Sequence, residues 1–168
     1  MSEVLPSSFP ESISFEVRGL PVPQGSSRGF YIKGRGPKAR GHVSITSSSK
    51  GLPAWRRIIA DVAQHHAPPS LWDGPIRVDL GFSMPKPKSL REFSGRGKHR
   101  VPIQVWATKR PDLDKLTRSV LDSLTNVFFE DDSQVVLLHA TKDYGVPGVK
   151  IVVGRLGTNS PTNGGTES

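Results

Sequence analysis

The chain has 168 residues, a net charge of +8 and no cysteine. That length buries a core without staples and points to one domain. The lack of cysteine excludes disulfides and thiolate metal sites, so any metal must be held by oxygen or imidazole.

No apolar stretch approaches the ~18–20 residues of a membrane span. The opening MSEVLPSSFPESISF lacks the basic and apolar runs of a signal peptide. The expectation is a soluble intracellular protein with no membrane partner. An isoelectric point of about 10.1 points to a polyanion partner, nucleic acid above all.

Residues 1–11 carry serines and prolines without periodicity and are expected as a flexible lead-in to a domain over 12–156. SISFEVRG (12–19) alternates, with Ile13, Phe15 and Val17 on one side, and predicts a half-buried strand. LPVPQG follows as a turn. Residues 24–50 are rich in Gly and Ser, with Arg28, Lys33, Arg35, Lys38, Arg40 and Lys50 and no acid. A loop this long suits a basic arm that contacts phosphates, with a short hairpin from 30–32 and 42–45 inside it.

PAWRRIIADVAQHHA (53–67) predicts a helix with Pro53 in its first turn and an apolar face of Trp55, Ile58, Ile59, Val62 and His66. His65 and His66 suit the C-terminal end of the helix dipole better than a metal site. PIRVDLGFSM (75–84) alternates as a second strand. PKPKSLREFSGRGKHR (85–100) is extended at its start and strongly basic. Lys86 and Lys88 are candidate phosphate contacts there, with a solvated charge run as the plainer alternative. IQVWATK (103–109) predicts a third strand, QVVLLHATKDYG (134–145) a fourth and GVKIVVGRL (148–156) a fifth. The last two are separated only by a short turn and are candidates to pair antiparallel. Residues 157–168 are polar and expected as a disordered tail. These elements make an α+β fold: one domain, a mixed or antiparallel sheet of about five strands, and two main helices.

The second helix lies in RPDLDKLTRSVLDSLTNVFFEDDSQ (110–134). This window holds six of the fifteen acidic residues of a basic chain, which demands a reason. Leu113, Leu116, Val120, Leu121, Leu124, Val127 and Phe128 keep a helical period over four turns. Asp112 suits the N-cap. Asp114, Arg118 and Asp122 follow at four-residue spacing on the polar side. Phosphodiester chemistry with Mg²⁺ needs hard oxygen ligands. Asp112 and Asp114, with Asp131 and Asp132 returning after the helix, supply them if the 134–145 strand lies beside the 103–109 strand. The plainer alternatives are an N-cap, an ion-pair ladder and a turn. Spacing alone leaves both open.

The combination RPDLDKLTRSVLDSL, EDDSQV and KDYG, with PVPQGSSR (21–28) and FSMPKPKS (82–89), resembles the RusA-type Holliday junction resolvases over about 14–145. The resemblance implies a hydrolase of DNA recombination and repair in the cytoplasm of a bacterium or phage-infected host. It further implies a homodimer, dependent on Mg²⁺ with Mn²⁺ as a substitute, that nicks two opposed strands of a four-way junction. It puts Asp112, Asp114 and Asp132, with Asp131 beside it, at the metal. Lys109, Arg110 and Lys115 join the basic loops in binding DNA. The family's functional lysine falls on Arg118, which keeps the charge but cannot act as a neutral amine. Its usual Asn after D-x-D is Lys115. Asp122 is expected to be structural. These departures keep a second reading open, a non-catalytic junction- or nucleic-acid-binding protein. A third is a basic structural protein without nucleic-acid chemistry.

Overall fold

The computed structural model describes residues 11–25, 27–32, 42–47, 50–91, 93–95 and 97–157, and of 27–32 and 42–47 the backbone path. The strands are β1 (Glu11–Arg18), β2 (Ser27–Ile32), β3 (His42–Ser47), β4 (Ile76–Met84), β5 (Phe93–Ser94), β6 (Val101–Pro102), β7 (Val135–Tyr144) and β8 (Gly148–Arg155). The helices are α1 (Leu52–His66) and α2 (Leu113–Leu124). The fold is α+β, as expected. The expected 1–11 lead-in and 157–168 tail fall almost wholly outside the described residues.

The main sheet has the order β1-β8-β4-β7. β8 is antiparallel to both β1 and β4, whereas β4 and β7 run parallel. This corrects the expected β7–β8 hairpin. β8 instead sits between two strands distant in sequence, which its buried Val149, Ile151 and Val153 require. A Cβ on Gly148 would stand 2.8 Å from the Val17 carbonyl, so only glycine lets β8 approach β1 there. A parallel β4–β7 pair needs a crossover, and α2 supplies it.

β4 buries Ile76, Val78, Leu80, Phe82 and Met84, and leaves Arg77 and Asp79 ion-paired at 2.8 Å on its other face. α1 packs on α2 and β1, and α2 on β7, so the helices cover the sheet face that carries the core. Each large apolar side chain buried there contributes ~1.5–3 kcal/mol. In α1 the buried residues are Leu52, Trp55, Ile59 and Ala63. Ile58, expected in the core, is exposed, and Ala63 takes that place. His65 and His66 are both exposed at the helix end, and the His66 ring stacks on Phe15 with centres 5.2 Å apart, on the apolar side expected of it.

Two further expectations fail. No strand forms at 103–109; the chain there is irregular, and the short β5–β6 ladder ends at Pro102. The second helix stops at Leu124, a turn earlier than the apolar period suggests. Asn126 turns the backbone left-handed (φ 62°), and its N–H donates to the Phe129 carbonyl at 2.7 Å. Phe128 and Phe129 thus reach the core from a turn. Phe128 stacks on Phe15 with ring centres 5.9 Å apart and meets the edge of Trp72. The expected hairpin in the basic arm is present as β2 paired antiparallel with β3.

Candidate functional site

Asp112 and Asp114 stand at the N-terminal end of α2, both exposed. Asp112 holds the N-cap position with extended backbone (φ −72°, ψ 141°), but its carboxylate makes no capping hydrogen bond. It pairs instead with Lys115 Nζ at 3.1 Å. The hydrogen bond and charge of Lys115, helped by Arg110 and Lys142, hold the Asp112 carboxyl below the ordinary carboxylate value. The approach to Asp112 includes a cis Arg110–Pro111 peptide. It is fastened from β7: Lys142 Nζ donates to the carbonyls of Lys109 (2.9 Å) and Pro111 (2.7 Å). On the other side, the Gln24 N–H donates to the Lys115 carbonyl at 2.8 Å. The PVPQG turn is thereby tied to the first turn of α2.

Asp131 and Asp132 belong to the turn that follows α2. Asp131 caps a short 3-10 turn (Asp132–Gln134) by accepting from the Ser133 N–H at 2.8 Å. Hydrogen bonds from Ser133 hold its carboxyl below the ordinary value. Gln134 explains the D-D-x-Q pattern. Its Oε1 accepts from the Glu130 and Asp131 N–H groups at 2.9 and 3.2 Å. Its Nε2 donates to the Trp72 and Gly74 carbonyls at 2.9 and 3.2 Å. The acidic turn is fixed to the loop before β4. Asp132 is exposed beside it.

The two acidic groups do not meet within one chain. They lie at opposite ends of α2 (Leu113–Leu124), a helix spanning ~18 Å at 1.5 Å per residue. β7 measures the same gap. Gln134 precedes its first residue, and Lys142, which grips the Pro111 carbonyl, lies near its last. The juxtaposition expected from a strand at 103–109 fails because that strand is absent and β7 lies along β4. Among the described residues, no three His, Asp or Glu side chains gather as a group that could hold a metal ion. The donors are of the oxygen type that Mg²⁺ takes, but one chain does not fit a three-carboxylate site.

Arg118 is exposed one turn after Asp114. Among the described residues it forms no ion pair with Asp114 or Asp122, so the ion-pair ladder that stood as a plainer alternative does not form. Asp122 pairs instead with Arg56 of α1, whose Nη2 also donates to Gln24 Oε1 at 2.8 Å. Burial, and then the nearby Arg118, lower the Arg56 pKa from its ordinary value. Asp122 therefore joins the two helices and the PVPQG turn, the structural role expected of it.

Of the candidate DNA contacts, Lys86, Lys88, Lys109 and Arg110 are exposed, and Lys115 is half-buried against Asp112. Arg28 lies in β2, where the backbone alone is described; Lys33, Arg35, Lys38 and Arg40 lie outside the described residues. Sequence reasoning passed over Lys142 and Arg56. Lys142 stands in the KDYG string, but a lysine in an alternating strand gives no hint that it clamps a distant loop.

The family model described as Endodeoxyribonuclease RusA matches residues 22–154. A Bacillus subtilis (strain 168) protein described as "Uncharacterized protein YqaN" is 31% identical over 144 residues, covering 85% of this chain and 96% of that protein. The match spans both acidic groups, the α2 between them and the Gln134 and Lys142 that fasten their two loops. The chain therefore belongs to the RusA endodeoxyribonuclease family.

Proposed function

We propose that the protein is a Mg²⁺-dependent, structure-selective endodeoxyribonuclease that resolves four-way DNA junctions by paired symmetric nicks, acting as a homodimer in the cytoplasm during recombination and repair. The observation that carries this reading is the pair of exposed carboxylates, Asp112 and Asp114, set beside Lys115, Arg110 and Lys142 in a chain of the RusA family. Such cations draw a phosphate toward carboxylates that would otherwise repel it.

A second copy supplies what one chain lacks. β7 is an edge strand of the main sheet with exposed Val136, Leu137 and Leu138. An apolar free edge is a template for pairing with another strand. Antiparallel β7–β7 pairing about a two-fold axis sets the start of each β7 against the end of the other. Asp132 of the partner subunit then approaches the Asp112–Asp114 end of the first. This arrangement yields two identical sites, and a two-fold dimer suits two opposed strands. Mg²⁺, or Mn²⁺ in its place, would be shared by Asp112 and Asp114 of one protomer and Asp132 of the other. Arg118 acts through charge alone, since it cannot deprotonate.

The alternative, a non-catalytic junction-binding protein, is favoured by the separation of the carboxylates and by Arg118. Mg²⁺-dependent cleavage of a synthetic four-way junction decides between them. The proposed enzyme cuts, and Asp114→Asn abolishes cutting without preventing binding. Full cleavage by Asp114→Asn contradicts the role given to that residue. Binding with steep salt dependence and no cleavage in Mg²⁺ or Mn²⁺ favours the alternative.

A further inference from the structure

The segment 103–109 does not enter the sheet, and apart from buried Ala107 and half-buried Val105 its side chains are exposed. With the turn 87–91 it walls an open groove of about 460 Å³, lined in part by Leu90, Arg91, Ile103, Trp106 and Lys109. Trp106 is 67% exposed. An indole that has no core to fill is unusual, because burying such a ring is strongly favourable. The Phe93 ring, on β5, is also exposed, with the Arg100 guanidinium 4.4 Å from its centre. The sequence from 85 to 111 carries eight Lys or Arg residues against one acid, Glu92.

The charge favours DNA over a protein or a lipid-free apolar ligand as occupant. The ring narrows the choice further. Paired bases within a duplex are stacked on both faces and offer no face to a side chain, whereas an unstacked base does. The groove is also tied to the Asp112–Asp114 end of α2. Lys142 fastens the carbonyl of Lys109, a groove residue, and that of Pro111, next to Asp112.

Resting on the nuclease reading above, we infer that this groove receives a nucleobase displaced from the stack at the branch point, laid on the Trp106 indole, with Arg91 and Lys109 on the flanking phosphates. The groove thus selects branched over duplex DNA and sets which phosphate reaches the carboxylates.

The three tryptophans make the test direct. Trp55 and Trp72 are 2% and 4% exposed, so Trp106 is the one open to a base. The full-length protein is titrated in EDTA with a four-way junction carrying 2-aminopurine beside the crossover, and with a duplex of equal length. Junction binding is expected to quench Trp106 emission and to change the 2-aminopurine signal. Trp106→Ala weakens junction binding by ~10-fold and duplex binding much less, and Trp106→Phe retains most of the affinity. Near-UV circular dichroism from the buried tryptophans checks that both variants fold. Equal losses for junction and duplex, or none, overturn the inference while wild-type cleavage leaves the nuclease reading standing. A Trp106→Ala protein of altered oligomeric state marks the patch as a subunit contact and also overturns it. A wild-type protein that neither prefers nor cuts the junction overturns both.

Discussion

Lys142 Nζ lies 2.7 Å from the Pro111 carbonyl oxygen, so the last part of an edge strand holds the residue that leads into the D-x-D pair. With a second bond to the Lys109 carbonyl at 2.9 Å, the clamp spans the loop between the basic groove and α2. Lys142→Met removes the ammonium and both hydrogen bonds. Cleavage turnover should fall by ~10- to 100-fold through misplacement of Asp112, with DNA affinity changed less. Stability should fall by ~1–2 kcal/mol. Lys142→Arg should restore part of the turnover. Single-turnover cleavage and urea melts measure the two effects separately.

Gln134 performs the matching task at the other end of α2. Its amide serves two N–H groups and two carbonyls, and so ties the acidic turn to the 72–74 loop. Gln134→Ala should cost ~2–3 kcal/mol in a urea melt. Gln134→Glu keeps the acceptor and loses both donations to Trp72 and Gly74, so it too should destabilise. A melt unchanged by both substitutions contradicts the pinning role.

Asp122 should matter for stability and not for chemistry. It and Arg56 are each about 30% exposed, at 28% and 32%. Asp122→Ala leaves a guanidinium whose buried Nε already has no acceptor. The expected loss, ~1–3 kcal/mol, lies between that of a surface pair and a fully buried one. Cleavage per folded molecule should stay within ~2-fold of wild type, the margin of effects away from the site. Replacing the pair by Arg56→Met with Asp122→Leu should recover much of the lost stability.

The free edge of β7 should govern assembly. Val136, Leu137 and Leu138 are exposed on it. A lysine on an edge strand blocks pairing with a second strand. Leu138→Lys should therefore yield a folded monomer by sedimentation, with cleavage lost. A dimeric and active Leu138→Lys protein places the subunit contact elsewhere.

Period-two alternation made β1 and β4 legible, since each has one buried face. The start of α2 was legible from Pro111-Asp112. Its end was not, because Val127 and Phe128 continue the helical period after Asn126 has broken the backbone path. Ile103, Val105 and Trp106 have strand-forming side chains, but β propensity describes fit to a sheet surface and cannot supply a free edge. β8 was legible as a strand and not as a neighbour of β1 and β4, since that placement is decided by long-range burial. The acidic residues themselves stood out. Whether they meet depended on the direction of β7, which no local pattern encodes.

In the proposed dimer each site draws Asp112 and Asp114 from one chain and Asp132 from the other. Asp112→Asn and Asp132→Asn proteins, each inactive alone, are unfolded together, refolded to allow subunit exchange, and assayed on a labelled four-way junction with Mg²⁺. A shared site predicts that mixing restores activity, because the mixed dimer holds one intact site, and that the restored cut falls on one strand. If the mixture stays as inactive as its parts, the carboxylates of a site belong to a single chain and the sites are not shared between subunits.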